Sequence, residues 1–227
     1  MKTLFVNAPH NVEIKNFLRG DFYRLAKENP DIRLVVFVEP ASREKLITAL
    51  GHERCIFEPV PDHNLDSNVL KQTFRIIALA SIPTESMWIR QSATYQNGGA
   101  LISFVFKRFL WCLGHARVWR SIVRAMEYYV FWDDRVWKKY FDMYRPDAVF
   151  APCLILEEDF VFLKHAKRRR IPTLGMVRSW DNFSTKLFLR VHPDELLVQN
   201  EIMKEEAIGW CDFPGERIHV VGFAQFS

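Results

Sequence analysis

The chain has 227 residues, of which 49% are hydrophobic and 26% charged, an ordinary balance for a globular protein. Its 31 basic and 27 acidic residues give a formal net charge of +4, too small to indicate a nucleic-acid partner by itself. No apolar run reaches the roughly 18 residues of a transmembrane helix, and the short apolar start does not have the pattern of a signal peptide.

Strand-like and helix-like segments alternate through the first third of the chain, which favours an α/β fold. Strands are predicted at residues 4–7, 32–38 and 54–60. Helices are predicted at residues 12–28, 41–50 and 67–79. Neither GxGxxG nor a Walker-type P-loop follows the first strand, so the sequence implies no dinucleotide or other cofactor.

The alternation stops between residues 84 and 145. Residues 84–99 are polar and contain Asn97-Gly98-Gly99, so a loop is expected there. Residues 100–144 have helical character without a strand, and we expect a long helical insertion at about 100–145.

The alternation returns in the last third, with strands predicted at residues 146–152, 173–177, 195–199 and 218–221. Helices are predicted at residues 156–169 and 201–210. About seven strands with helices between them predict a Rossmann-like parallel sheet that carries helices on both faces. We expect a single domain over residues 1–227, with the insertion as part of it.

The four cysteines, which we expect to be free and buried, are far apart and form no CxxC pair: Cys55, Cys112, Cys153 and Cys211. Free cysteines of this kind are typical of a protein in the reducing cytoplasm, and a disulfide framework is not expected. No cluster of ligands with metal-binding spacing occurs, so no metal site is predicted.

The insertion is basic and aromatic. Residues 99–145 contain nine basic and four acidic residues, a net charge of +5, and four of the seven tryptophans. This mixture is typical of a helix lying on an anionic membrane surface, although helices packed on the sheet, or a nucleic-acid surface, would also use such residues. The candidate membrane or acceptor contacts are Lys107, Arg108, Trp111, Arg117 and Arg120.

Candidate catalytic groups follow predicted strands, where open α/β sheets bind ligands. His10 follows the first strand, and a histidine titrates near neutral pH as a general base must. Asn11, the next residue, is a candidate substrate-binding residue. Glu157 and Glu158, with Asp159, follow a later strand. The alternative for His10 is an exposed or capping position without a catalytic role. The alternative for the three acidic residues is that they only stabilise a helix N-terminus.

The loop after the fifth predicted strand combines several ligand-binding residue types. Trp180 offers a flat face for a sugar or a base, and Asp181 and Asn182 offer hydrogen-bonding groups. The cap of a short helix at 183–187 would explain Asp181 or Asn182 equally well. The candidate substrate-binding residues here are Ser179, Trp180, Asn182, Ser184, Thr185 and Lys186, with Asp181 as a candidate base.

These residues resemble a pattern in bacterial surface-carbohydrate proteins. It comprises Arg178-Ser179-Trp180-Asp181-Asn182, Ser184-Thr185-Lys186, Val198-Gln199-Asn200 and, after a helix, Val220-Val221-Gly222-Phe223-Ala224-Gln225-Phe226. The pattern is similar to GT-B glycosyltransferases, CDP-glycerol glycerophosphotransferases and non-hydrolysing UDP-GlcNAc 2-epimerases. It covers residues 146–227; residues 1–83 share only a Rossmann-like pattern, and residues 84–145 share none.

The resemblance implies two Rossmann-like domains with the active site between them, the first binding the acceptor and the second the nucleotide-linked donor. The chain ends near the expected crossing point, so the donor-binding domain is expected to be absent and the chain to be inactive alone. The expected function is the acceptor-binding half of a glycosyltransferase for bacterial cell-surface polysaccharide.

The partners expected from the resemblance are a nucleotide-sugar donor, held by the missing C-terminal domain, and a carbohydrate or lipid-linked acceptor. We also expect a cytoplasmic location, with peripheral contact at the inner face of the cell membrane. No nucleic-acid partner is expected. Two alternatives stay open: a nucleotide-sugar 2-epimerase-like isomerase, and a non-catalytic binding module completed by a partner.

Overall fold

The computed structural model describes residues 1–61, 69–131 and 135–223. Its strands are β1 (Lys2–Asn7), β2 (Ile32–Val38), β3 (Cys55–Pro59), β4 (Ala148–Ala151), β5 (Thr173–Met176), β6 (Glu195–Val198) and β7 (Ile218–Val220). They pair in parallel in the order β3-β2-β1-β4-β5-β6-β7. The predicted α/β, Rossmann-like sheet of about seven strands is therefore confirmed.

Eleven α-helical segments lie within the described residues. They are α1 (Asn11–Glu13), α2 (Asp21–Glu28), α3 (Arg43–Leu50), α4 (Val69–Ala80), α5 (Glu85–Gln96), α6 (Leu101–Gly114), α7 (Arg117–Tyr129), α8 (Arg135–Tyr144), α9 (Glu157–Arg168), α10 (Asn182–Thr185) and α11 (Glu201–Cys211). The helix predicted at 12–28 is divided, because α1 continues as a π-turn over Ile14–Leu18 and α2 begins after Gly20. The predicted start at Ser67, Trp132 and residues 224–227 lie outside the described residues.

The strands bury both faces because successive side chains of a strand point to opposite sides. On one face, Phe5 and Phe37 pack against Trp137 of α8 and Phe162 of α9. On the other face, a second apolar cluster joins the sheet to the segment around Phe17 and to α2 and α3. Helices thus cover both faces, as predicted.

The insertion contains a helix where the sequence indicated a loop. Residues 85–96 form α5, and the Thr84 hydroxyl caps it by accepting a hydrogen bond from the Met87 N–H at 3.2 Å. The loop prediction was wrong for residues 85–96, because α5 buries only a narrow stripe that includes Met87 and Gln91. It is confirmed at residues 97–99, which lie between α5 and α6. Three more helices follow, α6 to α8, and no helix within the described ranges is both long and apolar enough to cross a bilayer.

Two arginines of α7 tie the insertion to the end of α11. Arg120 and Arg124 both pair with Asp212, at 2.6 and 2.9 Å, and the more exposed Arg117 adds a third ion pair. Burial opposes ionisation of Asp212, but the hydrogen bonds from these arginines hold the pKa of this carboxyl well below its usual range. The insertion is thereby held against the sheet domain.

The strand order reverses direction at β1, which lies between β2 and β4. Connections that leave β1 and β4 at their carboxyl ends diverge, and this leaves a crevice where α/β proteins bind ligands. The segments after β1, β4 and β5 therefore border one edge of the sheet, called the carboxyl edge below.

Candidate functional site

The structure brings most of the predicted site residues to the carboxyl edge. His10 and Asn11 follow β1, while Glu157 and Glu158 follow β4. The loop that contains Trp180 follows β5. Since β1, β4 and β5 are neighbours in the sheet, the three groups of residues border the same crevice.

A buried polar pair underlies this crevice. Asn7, the last residue of β1, donates through its side-chain amide to Asp159 Oδ1 at 2.8 Å, and both side chains are fully buried. Burial raises the pKa of the Asp159 carboxyl well above its usual range, and the nearby charges of Glu13 and Glu158 act in the same direction. Asp159 is therefore a carboxyl group that retains its proton to higher pH than an exposed aspartic acid.

Four buried oxygen atoms near the carboxyl edge accept no hydrogen bond from the described part of the chain. Glu13 is buried, and its Oε2 accepts the His10 backbone N–H at 3.1 Å, but its Oε1 accepts none. The other three are Asn7 Oδ1, Asp159 Oδ2 and Gln199 Oε1. Buried polar atoms are nearly always paired, so this concentration marks a place where a ligand can supply hydrogen bonds.

Two of these side chains, Glu13 and Gln199, line a small cavity at the carboxyl edge. The cavity measures about 20 Å³, enough for one hydroxyl group or one water molecule. The exposed Arg178 and the half-buried Asn16 add hydrogen-bond donors at its rim. Phe223, from the segment after β7, completes the lining together with Val12, Phe17, Pro152, Met176 and Val177.

In the loop after β5, several polar groups contact other residues of the same loop, whereas the tryptophan side chain is exposed to solvent. The Trp180 side chain is 68% exposed. Lys186 donates to Asp181 Oδ2 at 2.5 Å, and this hydrogen bond is the main reason that the pKa of the Asp181 carboxyl lies below its usual range. A lowered pKa makes Asp181 a weaker proton acceptor.

Two hydroxyl groups of this loop bond to its own backbone. Ser184 and Thr185 both donate their hydroxyl hydrogens to the Asp181 carbonyl oxygen at 3.0 Å. Asn182 is fully buried, and Ser179 is half-buried. Asp181, the residue before α10, makes no side-chain capping hydrogen bond to this helix, so the capping alternative is wrong for Asp181.

The insertion contacts the loop from the other side. The Thr84 hydroxyl donates to the Ser184 carbonyl oxygen at 2.5 Å, and Arg90 of α5 donates to the Thr185 carbonyl oxygen at 2.9 Å. The position of α10, and with it the position of Trp180, therefore depends on α5.

Glu157 belongs to a network of ion pairs. It pairs with Arg190, and its Oε1 lies 3.0 Å from Arg75 Nε. Glu158, its neighbour in the first turn of α9, is half-buried. His10 is exposed beyond the end of β1, and Asn11 beside it is exposed as well.

The basic and aromatic candidates on α6 and α7 have different surroundings. Arg117 is exposed, whereas Arg120 is buried against Asp212. The Arg108 guanidinium lies over the Trp88 ring, 3.2 Å from its centroid. Trp111 donates its indole N–H to the Thr84 carbonyl oxygen at 2.9 Å, and Lys107 is half-buried.

The cysteines differ from the expectation at one position. Cys55, Cys153 and Cys211 are buried free thiols, but Cys112 is an exposed one because it lies on the outer side of α6. Within the described ranges, no group of three or more histidine, cysteine, aspartate or glutamate side chains is arranged to hold a metal ion.

Sequence reasoning did not identify the residues that surround the small cavity, notably Glu13, Asn16, Arg178 and Gln199. A usable signal was present for two of them. Arg178 and Gln199 are polar residues within two positions of the ends of β5 and β6, where side chains reach the carboxyl edge. Glu13 carried no such signal, because a carboxylate in an amphipathic segment is usually exposed.

No protein-family model matches the chain, and no curated protein matches it. Among solved structures, the chain is similar to the one titled "Crystal Structure of Arabidopsis thaliana UGT89C1 complexed with UDP", with 12% sequence identity and a TM-score of 0.40. The alignment covers 97% of this chain and 48% of that one. The chain therefore spans about half the length of that protein.

Proposed function

We propose that the chain is the acceptor-binding half of a glycosyltransferase that builds bacterial cell-surface polysaccharide. The observation that carries the proposal is the pair of unpaired, buried oxygens that line the small cavity at the carboxyl edge, Glu13 Oε1 and Gln199 Oε1. Hydrogen-bond acceptors in surplus call for a ligand rich in O–H donors, and carbohydrates have this property.

The surroundings of these oxygens also suit a sugar. The exposed indole of Trp180, two residues beyond Arg178, provides a flat apolar surface on which the C–H face of a pyranose ring can stack. The cavity admits one hydroxyl group, so a single acceptor hydroxyl would enter it while the rest of the sugar stays in the crevice.

In the proposed reaction, an acceptor hydroxyl attacks the anomeric carbon of a nucleotide-linked sugar. The new C–O bond forms as the bond to the nucleoside diphosphate breaks, and the hydroxyl proton passes to a base. His10 is our candidate for the base, because Asp181 is paired with Lys186 and Glu157 with Arg190. A second domain, from a longer polypeptide or a partner, would hold the donor.

The test is carbohydrate binding by the chain itself. Isothermal titration with methyl glycosides of glucose, galactose and N-acetylglucosamine should detect weak binding that Glu13→Gln lowers about tenfold, because a hydrogen bond to a charged group is lost. Glu28→Gln is the matched control, since Glu28 is an exposed glutamate on α2. Equal affinities of both variants, or no binding of any glycoside, would reject the proposal.

We further propose that the outer faces of α6 and α7 lie on an anionic membrane surface, where a lipid-linked acceptor would be found. Ile102 is 85% exposed and Val118 is 73% exposed. They belong to two apolar stripes at helical spacing: Leu101, Ile102, Val105, Phe106 and Phe109 on α6, and Val118, Ile122, Met126 and Tyr129 on α7.

Charge supports a lipid surface as the occupant of these stripes. Exposed apolar area of this extent marks an interaction surface. Arg117 beside Val118 pairs with Asp212 through Nε, but 77% of its side chain is exposed and the rest of its guanidinium suits anionic headgroups. Arg120 takes no part, because it is buried against Asp212.

A further inference from the structure

A cavity apart from the one at Glu13 lies where the insertion packs on α4, between α4, α5 and α6. It measures about 200 Å³, and an apolar cavity of roughly 150 Å³ in another protein holds a benzene molecule. Among the described residues, three of α4 and four of α5 line it, together with Lys107 of α6. The space is therefore large enough for part of an organic ligand.

The walls of this cavity are apolar and partly open to solvent. Met87 is buried, whereas Ile76 is 51% exposed and Leu79 is 37% exposed. Exposed apolar side chains are stabilised when a hydrocarbon group covers them, because apolar surface is removed from water. The walls therefore favour a ligand with a hydrocarbon chain over a wholly polar one.

Two cationic side chains belong to the same lining. Lys107 is half-buried, so its apolar stem lies against the walls while its ammonium group remains hydrated. Arg90 is exposed, and its Nη1 donates to the neutral Thr185 carbonyl oxygen at 2.9 Å. No carboxylate occurs among the described lining residues. An anionic group at the mouth of the cavity would form charge-assisted hydrogen bonds with these cations.

A buried amide adds a further requirement. Gln91 is only 5% exposed, and its Nε2 donates to the Ala80 carbonyl oxygen at 3.4 Å. This contact fixes the orientation of the amide, so Oε1 is the atom that needs a partner. Within the described ranges Oε1 accepts no hydrogen bond, although it is buried. Leaving a buried acceptor unpaired costs free energy, so a ligand with an O–H donor would stabilise Gln91.

We propose that this cavity binds a hydroxylated fatty acid, an amphiphile with one hydrocarbon chain, a carboxylate and a hydroxyl group close to that carboxylate. The carboxylate would pair with Lys107 and Arg90, and the hydroxyl would donate to Gln91 Oε1. The chain would cover the apolar walls. This inference goes beyond the proposed function, because it concerns another ligand at another site and does not require carbohydrate binding at the carboxyl edge.

The first measurement is isothermal titration with octanoate and with 3-hydroxyoctanoate, at constant ionic strength and in the absence of lipid. The chain should bind both, and 3-hydroxyoctanoate about fivefold more tightly, because its hydroxyl supplies one more hydrogen bond. Lys107→Gln should weaken the binding of both acids about fivefold, because the charge is lost.

Lys204→Gln is the matched control, since Lys204 is a half-buried lysine of α11 outside the cavity. It should leave both affinities unchanged. No binding of either acid, or equal affinities of Lys107→Gln and Lys204→Gln, would overturn the site.

The second measurement tests the role of the amide and the location of the chain. Gln91→Met keeps an unbranched side chain but removes the acceptor, so it should bind the two acids equally; a preference that persists would overturn the contact with Gln91. Ile102→Gln alters the exposed stripe of α6 and should leave octanoate binding unchanged. Loss of binding in Ile102→Gln would place the amphiphile on that stripe and contradict binding in the cavity.

Discussion

At the scale of single residues, burial sets the proton affinity of side chains on which stability depends. His192 lies beside the C-terminal end of α11. Its Nε2 is 3.0 Å from the Cys211 carbonyl oxygen, and its ring packs on Phe213. Burial lowers the pKa of His192 to about 3, and the positive charge of Arg124 acts in the same direction. The folded protein therefore holds this imidazole neutral.

This lowered pKa predicts a loss of stability in acid. Between pH 6.5 and about 3, the unfolded chain binds a proton at His192 that the folded chain does not. The free energy of unfolding should therefore fall as pH decreases through this window, by about 1.4 kcal/mol per pH unit from this group. Urea denaturation at a series of pH values should show a shallower slope for His192→Gln.

The control for this prediction is His219→Gln, at an exposed histidine that contacts Glu195. His192→Gln should flatten the slope more than this variant does. Identical slopes for His192→Gln and the original protein would contradict the account of this site.

At the scale of helices, the insertion depends on a close approach of α6 to the end of α4. A Cβ atom on Gly114 would lie 2.0 Å from the Ser81 carbonyl oxygen, so no larger residue fits without backbone movement. Gly114→Ala should lower the free energy of unfolding by about 1–3 kcal/mol, as overpacking does elsewhere. Urea denaturation measures the change.

Gly209 supplies the comparison, because it lies inside α11 and a Cβ atom there would meet nothing within 4 Å. Gly209→Ala should raise the free energy of unfolding by about 0.5–1 kcal/mol, through the lower conformational entropy of the unfolded chain. If Gly114→Ala were equally stabilising, the close packing of α6 on α4 would be disproved.

The exposed face of α6 makes a separate prediction. Cys112 is the one exposed thiol among the four cysteines, so it should accept an environment-sensitive fluorophore selectively. Emission from the labelled protein should shift to the blue with vesicles of anionic phosphatidylglycerol and stay unchanged with phosphatidylcholine alone. Ile102→Gln should reduce the shift, because it removes apolar area from the stripe.

Ile202→Gln is the matched control, at an apolar residue of α11 that is 68% exposed and outside the stripe. It should leave the vesicle response intact. An equal loss in both variants, or a blue shift that grows with protein concentration in the absence of lipid, would contradict membrane docking and point to self-association.

Helices and strands were predictable where burial is complete and periodic. The run at Ile32–Val38 is continuously apolar, as a strand covered on both faces must be, and its bounds agree with the prediction. Helix α5 was missed because twelve residues with a narrow buried stripe resemble a polar loop. Glu13 was missed because its burial arises from tertiary packing at the crevice, which no local pattern encodes.

At the scale of the whole molecule, the strand order decides where ligands can bind. The reversal between β2-β1 and β4-β5 puts His10, Glu158 and Trp180 at one edge, although they lie far apart in the chain. The insertion joins this edge through the contact of Thr84 and Arg90 with α10. A membrane contact at α6 and a sugar in the crevice would therefore be connected through α5.

Amide chemical shifts, followed during titration with a methyl glycoside, locate a carbohydrate site on the chain. Binding at the carboxyl edge should perturb the signals of Glu13, Asn16, Arg178 and Gln199 most strongly, together with the Trp180 indole N–H. Perturbations at the opposite edge of the sheet, or none at saturating glycoside, would contradict it.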